Sequence, residues 1–130
     1  MPWVSRNVED SLVVTIPSAV EVLKRKKGAC KEHTVLFAAL GRAAGIPTRM
    51  VAGLVYSDAY LIKGFYYHAW AEIYLSEPDG KSGQWVRVDP TFNQFPADAT
   101  HIRLKTGNLA DMISLMQVVG QTKIEVIEYQ

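Results

Sequence analysis

The stretch that most constrains this chain is residues 34–44, Thr-Val-Leu-Phe-Ala-Ala-Leu-Gly-Arg-Ala-Ala, which is apolar on almost every side. A helix without a polar face has to be enclosed by other elements, so these residues predict a buried helix at the centre of a domain. Gly45 supplies the C-terminal stop and Pro47 prevents continuation. Beyond Pro47 the apolar period changes from helical spacing to two. That alternation predicts strands over residues 49–56, 65–75 and 84–89, with a turn at Pro78, Asp79 and Gly80. Pro90 ends the third strand, because proline has no N–H to give to a ladder.

The flanks are read the same way. Ser18 with Glu21 three residues later is a capping-box pattern, opening a short helix through about Arg25. The basic run Lys24, Arg25, Lys26 and Lys27 then sits at a helix C-terminus, where cations complement the macrodipole. The first dozen residues are weakly patterned and read as an arm from an upstream domain. Downstream, residues 96–104 suggest an edge strand. Residues 108–119 have helical spacing (Leu109, Met112, Ile113, Met116), and residues 123–129 alternate as a last strand. Helices first, then mostly antiparallel strands with one late helix, point to an α+β fold rather than a doubly wound sheet.

Length and charge bound the rest. The 130 residues suit one domain spanning 1–130, read as the C-terminal part of a longer protein. A net charge of +1 gives no long-range attraction to nucleic acid or an anionic membrane. No apolar run is long enough for a membrane helix, and no signal-peptide pattern opens the chain, so a soluble protein is expected. Cys30 is the only cysteine, which excludes an intrachain disulfide and leaves the compartment unconstrained.

Cys30 lies at the predicted start of the central helix. Backbone N–H groups of a first turn are unpaired and carry partial positive charge. A cysteine at such a place is favoured as thiolate, and the same N–H groups can receive an oxyanion. A structural cysteine would more naturally sit mid-helix, among Val35, Leu36 and Phe37. In the second strand, alternation puts Tyr66, His68, Trp70, Glu72 and Tyr74 on one face; the third strand puts Trp85, Arg87 and Asp89 on the matching face. His68 and Asp89 then share the polar, aromatic side. A thiol, an imidazole and a carboxylate in that relation are a nucleophile, its base and an orienting group. Glu72 and Arg87 read as a cross-strand ion pair.

Four blocks resemble the transglutaminase-like superfamily, in order between Gly28 and about Leu104. They are Gly-Ala-Cys-Lys-Glu-His at 28–33, Leu-Gly-Arg-Ala-Ala-Gly-Ile-Pro-Thr-Arg at 40–49, Tyr-His-Ala-Trp-Ala-Glu-Ile-Tyr at 67–74, and Trp-Val-Arg-Val-Asp-Pro-Thr at 85–91. The run Pro-Ala-Asp-Ala-Thr-His-Ile at 96–102 also looks like the tail of bacterial members. The resemblance implies a papain-like α+β core, with N-terminal helices packed on a mostly antiparallel sheet. It implies Cys30 as nucleophile, His68 as proton shuttle and Asp89 as the group that holds the imidazole. The shared step is attack on an amide carbonyl to give a thioester. Ala29 stands where many relatives carry Asp. Crosslinking members use an upstream tryptophan towards the oxyanion; Trp3 is the only tryptophan before Cys30, which leaves the second oxyanion donor open.

Cys30 and His33 with His68 have metal-ligand chemistry, but no cysteine pair or acidic cluster completes a set, so neither metal nor cofactor is expected. His33 is read as a supporting or pocket-lining residue, and His101 as a surface or edge residue without a role. The function expected is thiol-dependent hydrolysis of peptide or amide bonds, as in a cysteine protease, on a peptide or protein substrate. The alternatives are amine transfer onto glutamine carboxamides and a catalytically silent binding module. Tyr56, Tyr60, Phe65, Tyr66 and Trp70 are read either as cleft-lining aromatics or, as is commoner at such positions, as core and cross-strand packing, and residues 57–64 as the substrate-contacting segment.

Overall fold

The computed structural model describes residues 2–11, 18–59 and 61–119. Its centre is α3 (Cys30–Ala43), the helix anticipated from its apolar run. Gly45 follows with φ +78, the left-handed conformation that suits a residue without a Cβ. Enclosure is uneven along this helix. Thr34, Leu36 and Ala38 are buried, whereas Leu40 is 42% exposed. The C-terminal half instead borders an apolar groove of about 580 Å³, lined by Trp3, Leu23, Phe37, Leu40, Ile46 and Phe95 among others.

Before α3 come α1 (Pro2–Asn7), β1 (Glu9–Asp10), α2 (Ala19–Arg25) and β2 (Lys27–Gly28). Ser18 caps α2 as expected, its hydroxyl accepting the Glu21 N–H at 3.2 Å. The first residues are not an unstructured arm. Val4 and Val8, one helical turn apart, bury themselves with Val22 and Leu36. β1 then pairs in parallel with β2, Glu9 opposite Lys27 and Asp10 opposite Gly28. The apolar spacing of Val4 and Val8 was the available signal, too short to stand out as a period.

After α3 run β3 (Thr48–Ser57), β4 (Gly64–Ser76), β5 (Gly83–Val88), β6 (His101–Gly107) and α4 (Leu109–Val119). The sheet order is β5-β4-β3-β6, and all three pairings are antiparallel. The three predicted strands, the edge strand and the late helix are therefore present, with β6 starting five residues and ending three residues later than the 96–104 anticipated. The strand expected at 123–129 lies outside the described residues.

Helices α3 and α4 cover one face of the sheet, where Ala38, Met50, Ala52, Ala69 and Met112 form a buried cluster. The other face carries the polar residues. The register of β6 slips between Ala52 and Gly53 on β3. A Cβ at Gly53 would lie 2.0 Å from the Ile102 carbonyl oxygen and 2.8 Å from the Trp70 ring, so close approach demands glycine there. Among the described residues no helix is long and apolar enough to cross a membrane.

Candidate active site

Cys30 is placed by the way α3 begins. Ala29 has no polar side chain for capping, so Glu32 supplies the cap, its Oε2 accepting the Ala29 N–H at 2.9 Å. Gly28 makes room for this: a Cβ there would fall 2.2 Å from Glu32 Cβ. The first helical bond runs from the His33 N–H to the Ala29 carbonyl, 3.1 Å, so the N–H of Cys30 stands ahead of the ladder. The half-buried Cys30 packs against the Ala38–Ala69 cluster, and it stands close enough to the His68 side chain to raise the pKa of the ring.

His68 comes from β4, where it faces Gly53 of β3. Its Nε2–H donates to Asp89 Oδ2 at 2.6 Å. With Nε2 so committed, Nδ1 is the nitrogen left to meet the sulfur. Phe92 stacks on the ring at 4.7 Å. Asp89 follows β5 directly and is wholly buried. Its Oδ1 accepts the N–H groups of Thr91 (2.9 Å) and Phe92 (3.0 Å), so the turn after the strand fixes the carboxylate. Cys30, His68 and Asp89 are thus brought together from a helix, a strand and a strand end.

The charges reinforce one another. Burial by itself would lower the pKa of His68. The hydrogen bonds to Asp89 and Cys30 and the negative charges behind them outweigh it, and the pKa is raised to about 9. Burial would likewise raise Asp89, but bonds from His101 and His68, the imidazolium charge and the Phe92 N–H hold its carboxyl well below the ordinary range. Tyr67 is raised by burial and then by the charge of Cys30, and its hydroxyl donates to the Met112 carbonyl at 3.2 Å.

Two expectations need correction. His101 is neither a surface residue nor idle: its side chain is fully buried and its Nε2–H donates to the same Asp89 Oδ2 at 2.8 Å. Trp70 follows the core reading rather than the cleft one; it is completely buried and meets His101 edge-on at 5.1 Å. Glu72 bonds Arg49 (2.7 Å) and Arg103 (3.2 Å), with Arg49 also lying over Trp85, although Arg87 is its neighbour in register. Of the other aromatics, Tyr56 and Phe65 meet edge-to-face at the exposed end of β3 and β4. Tyr60 lies outside the described residues.

His33 and Trp3 are elsewhere. The His33 ring nitrogens lie 2.7 Å from the Ala29 oxygen and 3.1 Å from the Val8 oxygen, which ties the N-terminal segment to α3. Trp3 lines the groove beside Leu40 and Ile46. Leu40 is ten residues from Cys30, about 15 Å along the helix. The cluster with metal-ligand chemistry is instead His68, Asp89 and His101, with ligand atoms within 4.8 Å of one another. The nitrogen–oxygen separations of 2.6 and 2.8 Å are those of shared protons. Ligands on one tetrahedral ion with 2.0 Å bonds stand about 3.3 Å apart, so a metal would have to part these groups.

Known proteins share this framework. A family model described as the transglutaminase-like superfamily matches residues 2–90, and therefore includes Cys30, His68 and Asp89 but not His101. Among solved structures, a putative cysteine protease from Cytophaga hutchinsonii is similar with a TM-score of 0.58 and 26% identity. The similarity covers 82% of this chain and 33% of that one, so the chain spans about a third of that protein's length. No curated protein matches significantly in sequence. With the central helix, strands β3 to β5 of the sheet and the Cys30, His68 and Asp89 positions all inside the matched region, the chain belongs to the transglutaminase-like superfamily.

Proposed function

We propose that this protein is a thiol-dependent hydrolase of peptide or amide bonds, with Cys30 as nucleophile, His68 as acid and base, and Asp89 as the group that orients His68. The observation that carries the reading is the His68 imidazole bonded at 2.6 Å to a buried carboxylate, with Cys30 beside the same ring. In this mechanism the thiol proton passes to His68 Nδ1 and the sulfur attacks the amide carbonyl carbon. The unpaired N–H of Cys30 is one donor to the resulting oxyanion. As the C–N bond breaks, His68 returns its proton to the departing amine, leaving a thioester on Cys30. His68 then takes a proton from water, whose oxygen attacks the thioester carbon. The C–S bond breaks, the acid leaves, and the thiol is restored.

Asp89 keeps Nε2 protonated and so directs Nδ1 at the sulfur. The substrate-contacting segment of this reading is the β3–β4 connection, where Leu61 and Ile62 project into solvent. Incubation with denatured protein substrates, followed by mass spectrometry, tests the reading. The expected products carry one added water per broken amide bond, and Cys30→Ala gives none. Ammonia released only when a primary amine is added, with the amine in the product, would replace hydrolysis by amine transfer. A Cys30 that neither cleaves nor alkylates at neutral pH would leave a binding module.

A further inference from the structure

His101 is a buried titratable side chain that the three-residue mechanism does not use. It opens β6, the strand on the far side of β3 from β4, and stands opposite Val55. Its ring spans two carboxylates. Nε2 lies 2.8 Å from Asp89 Oδ2, and Nδ1 lies 3.1 Å from Asp98 Oδ1. Asp98, half exposed, is held in turn: its Oδ1 accepts the Thr100 N–H at 3.0 Å and its Oδ2 the Gln94 amide at 3.0 Å. Trp70 closes the side of the ring.

Asp89 therefore has four donors. Two backbone N–H groups take Oδ1, and two imidazoles share Oδ2. The turn fixes one oxygen, but it does not by itself fix the rotation that aims the other at His68. With His101 missing, Oδ2 would lack its second donor, while the Thr91 and Phe92 N–H groups still hold Oδ1. Rotation towards them draws Oδ2 away from His68. A buried acceptor left short of donors is costly enough to drive such a movement.

We infer that His101 is a positioning residue: it locks the Asp89 carboxylate in the rotation that serves His68, within a chain running Cys30, His68, Asp89, His101, Asp98. The inference rests on the hydrolase reading for its functional meaning, but not for its physical test. The test is the NMR titration of the His68 ring in the whole chain, compared between wild type, His101→Leu, His101→Gln and Asp98→Ala. Wild-type His68 is expected to titrate near 9. In His101→Leu it should fall by about one pH unit or more, because the largest influence raising it is the bond to Asp89. In His101→Gln, which keeps an N–H for Oδ2, most of the shift should return. A purely structural histidine would change stability without this pattern. Asp98→Ala leaves the core filled and removes the outer anchor of His101 together with the bonds from Thr100 and Gln94, so a smaller fall is expected. An unchanged His68 titration in folded His101→Leu overturns the inference; where that variant does not fold, an unchanged titration in Asp98→Ala does so. Iodoacetamide labelling of wild-type Cys30 separates the two proposals, since an inert thiol sinks the hydrolase reading without moving the His68 titration.

Discussion

The interaction between His68 and Asp89 has a size that can be read from stability. The imidazole pKa rises from an ordinary 6.5 to about 9, and the ring is only 4% exposed, so solvent screening removes little of the effect. At about 1.4 kcal/mol per pH unit, the protonated ring is favoured in the folded state by about 3 kcal/mol. Because the folded pKa is the higher one, that stability is fully present below pH 6.5 and is lost as pH rises through about 9. The measurement belongs in a Cys30→Ala background, where the His68–Asp89 pair is read without the thiol. Removing the thiol also removes its share of the His68 shift, which makes 3 kcal/mol an upper bound.

Asp89→Asn in that background removes the charge while keeping the shape. Its amide NH2 meets either the Thr91 and Phe92 N–H donors at Oδ1 or, at the Oδ2 position, imidazole nitrogens that can accept it only in the other tautomer. Burial, the largest influence on His68, would then act unopposed by the carboxylate and hold the ring neutral. Urea unfolding of both proteins between pH 6 and 9.5 is the assay. Cys30→Ala should lose up to about 3 kcal/mol across that range, while Cys30→Ala/Asp89→Asn, less stable at pH 6, should lose far less. Parallel curves would refute the coupling.

Other outcomes follow from the same geometry. Cys30→Ala should abolish product formation yet unfold at nearly the wild-type temperature by circular dichroism, since the residue is half-buried and the helix cap belongs to Glu32. Hydrolysis of a good substrate should decline as pH rises through about 9, where His68 loses the proton owed to the leaving amine; a rate still climbing at pH 10 would contradict that role. Gly28→Ala places a Cβ 2.2 Å from Glu32 Cβ, so it should displace the cap of α3, cost about 1–3 kcal/mol in urea unfolding and slow alkylation of Cys30. Gly53→Ala should be worse, because the obstacle at 2.0 Å is the backbone oxygen of Ile102, which no rotamer change relieves; soluble, fully stable protein would show the β3–β6 approach to be looser than described.

What was legible in the sequence is what local pattern encodes. The enclosed helix announced itself because residues 34–44 have no polar face, and the strands because alternation separates Ala69 and Ala71 from His68 and Trp70. That alternation also placed His68 and Asp89 on one side, which β4–β5 pairing with Ala71 opposite Val88 bears out. The position of His101 was not legible. Its partner Asp89 is twelve residues away, beyond a turn whose path depends on Asp89 itself: the Asp89–Gln94 bridge and the Thr91 and Phe92 N–H bonds fold the connection back. A histidine at the start of an edge strand looks the same in sequence whether that connection swings outward or inward. The exposed end of α3 escaped for a related reason, since an apolar run does not say whether something covers each of its sides.

The architecture around Asp89 explains why a buried charge is tolerable at this point. An isolated carboxylate with no exposure would take a proton rather than stay ionised. Here two N–H groups from the turn and two from imidazoles satisfy both oxygens. One of those imidazoles reaches the half-exposed Asp98, so the chain of bonds ends near water. The other lies beside Cys30, which packs on the helical side of the sheet. In the proposed mechanism, a proton leaving the thiol would settle on a ring whose charge is already balanced by a carboxylate held on both oxygens. That fixed balance is what a transferable proton needs, and four elements far apart in the chain supply it: the start of α3, the middle of β4, the end of β5 and the start of β6.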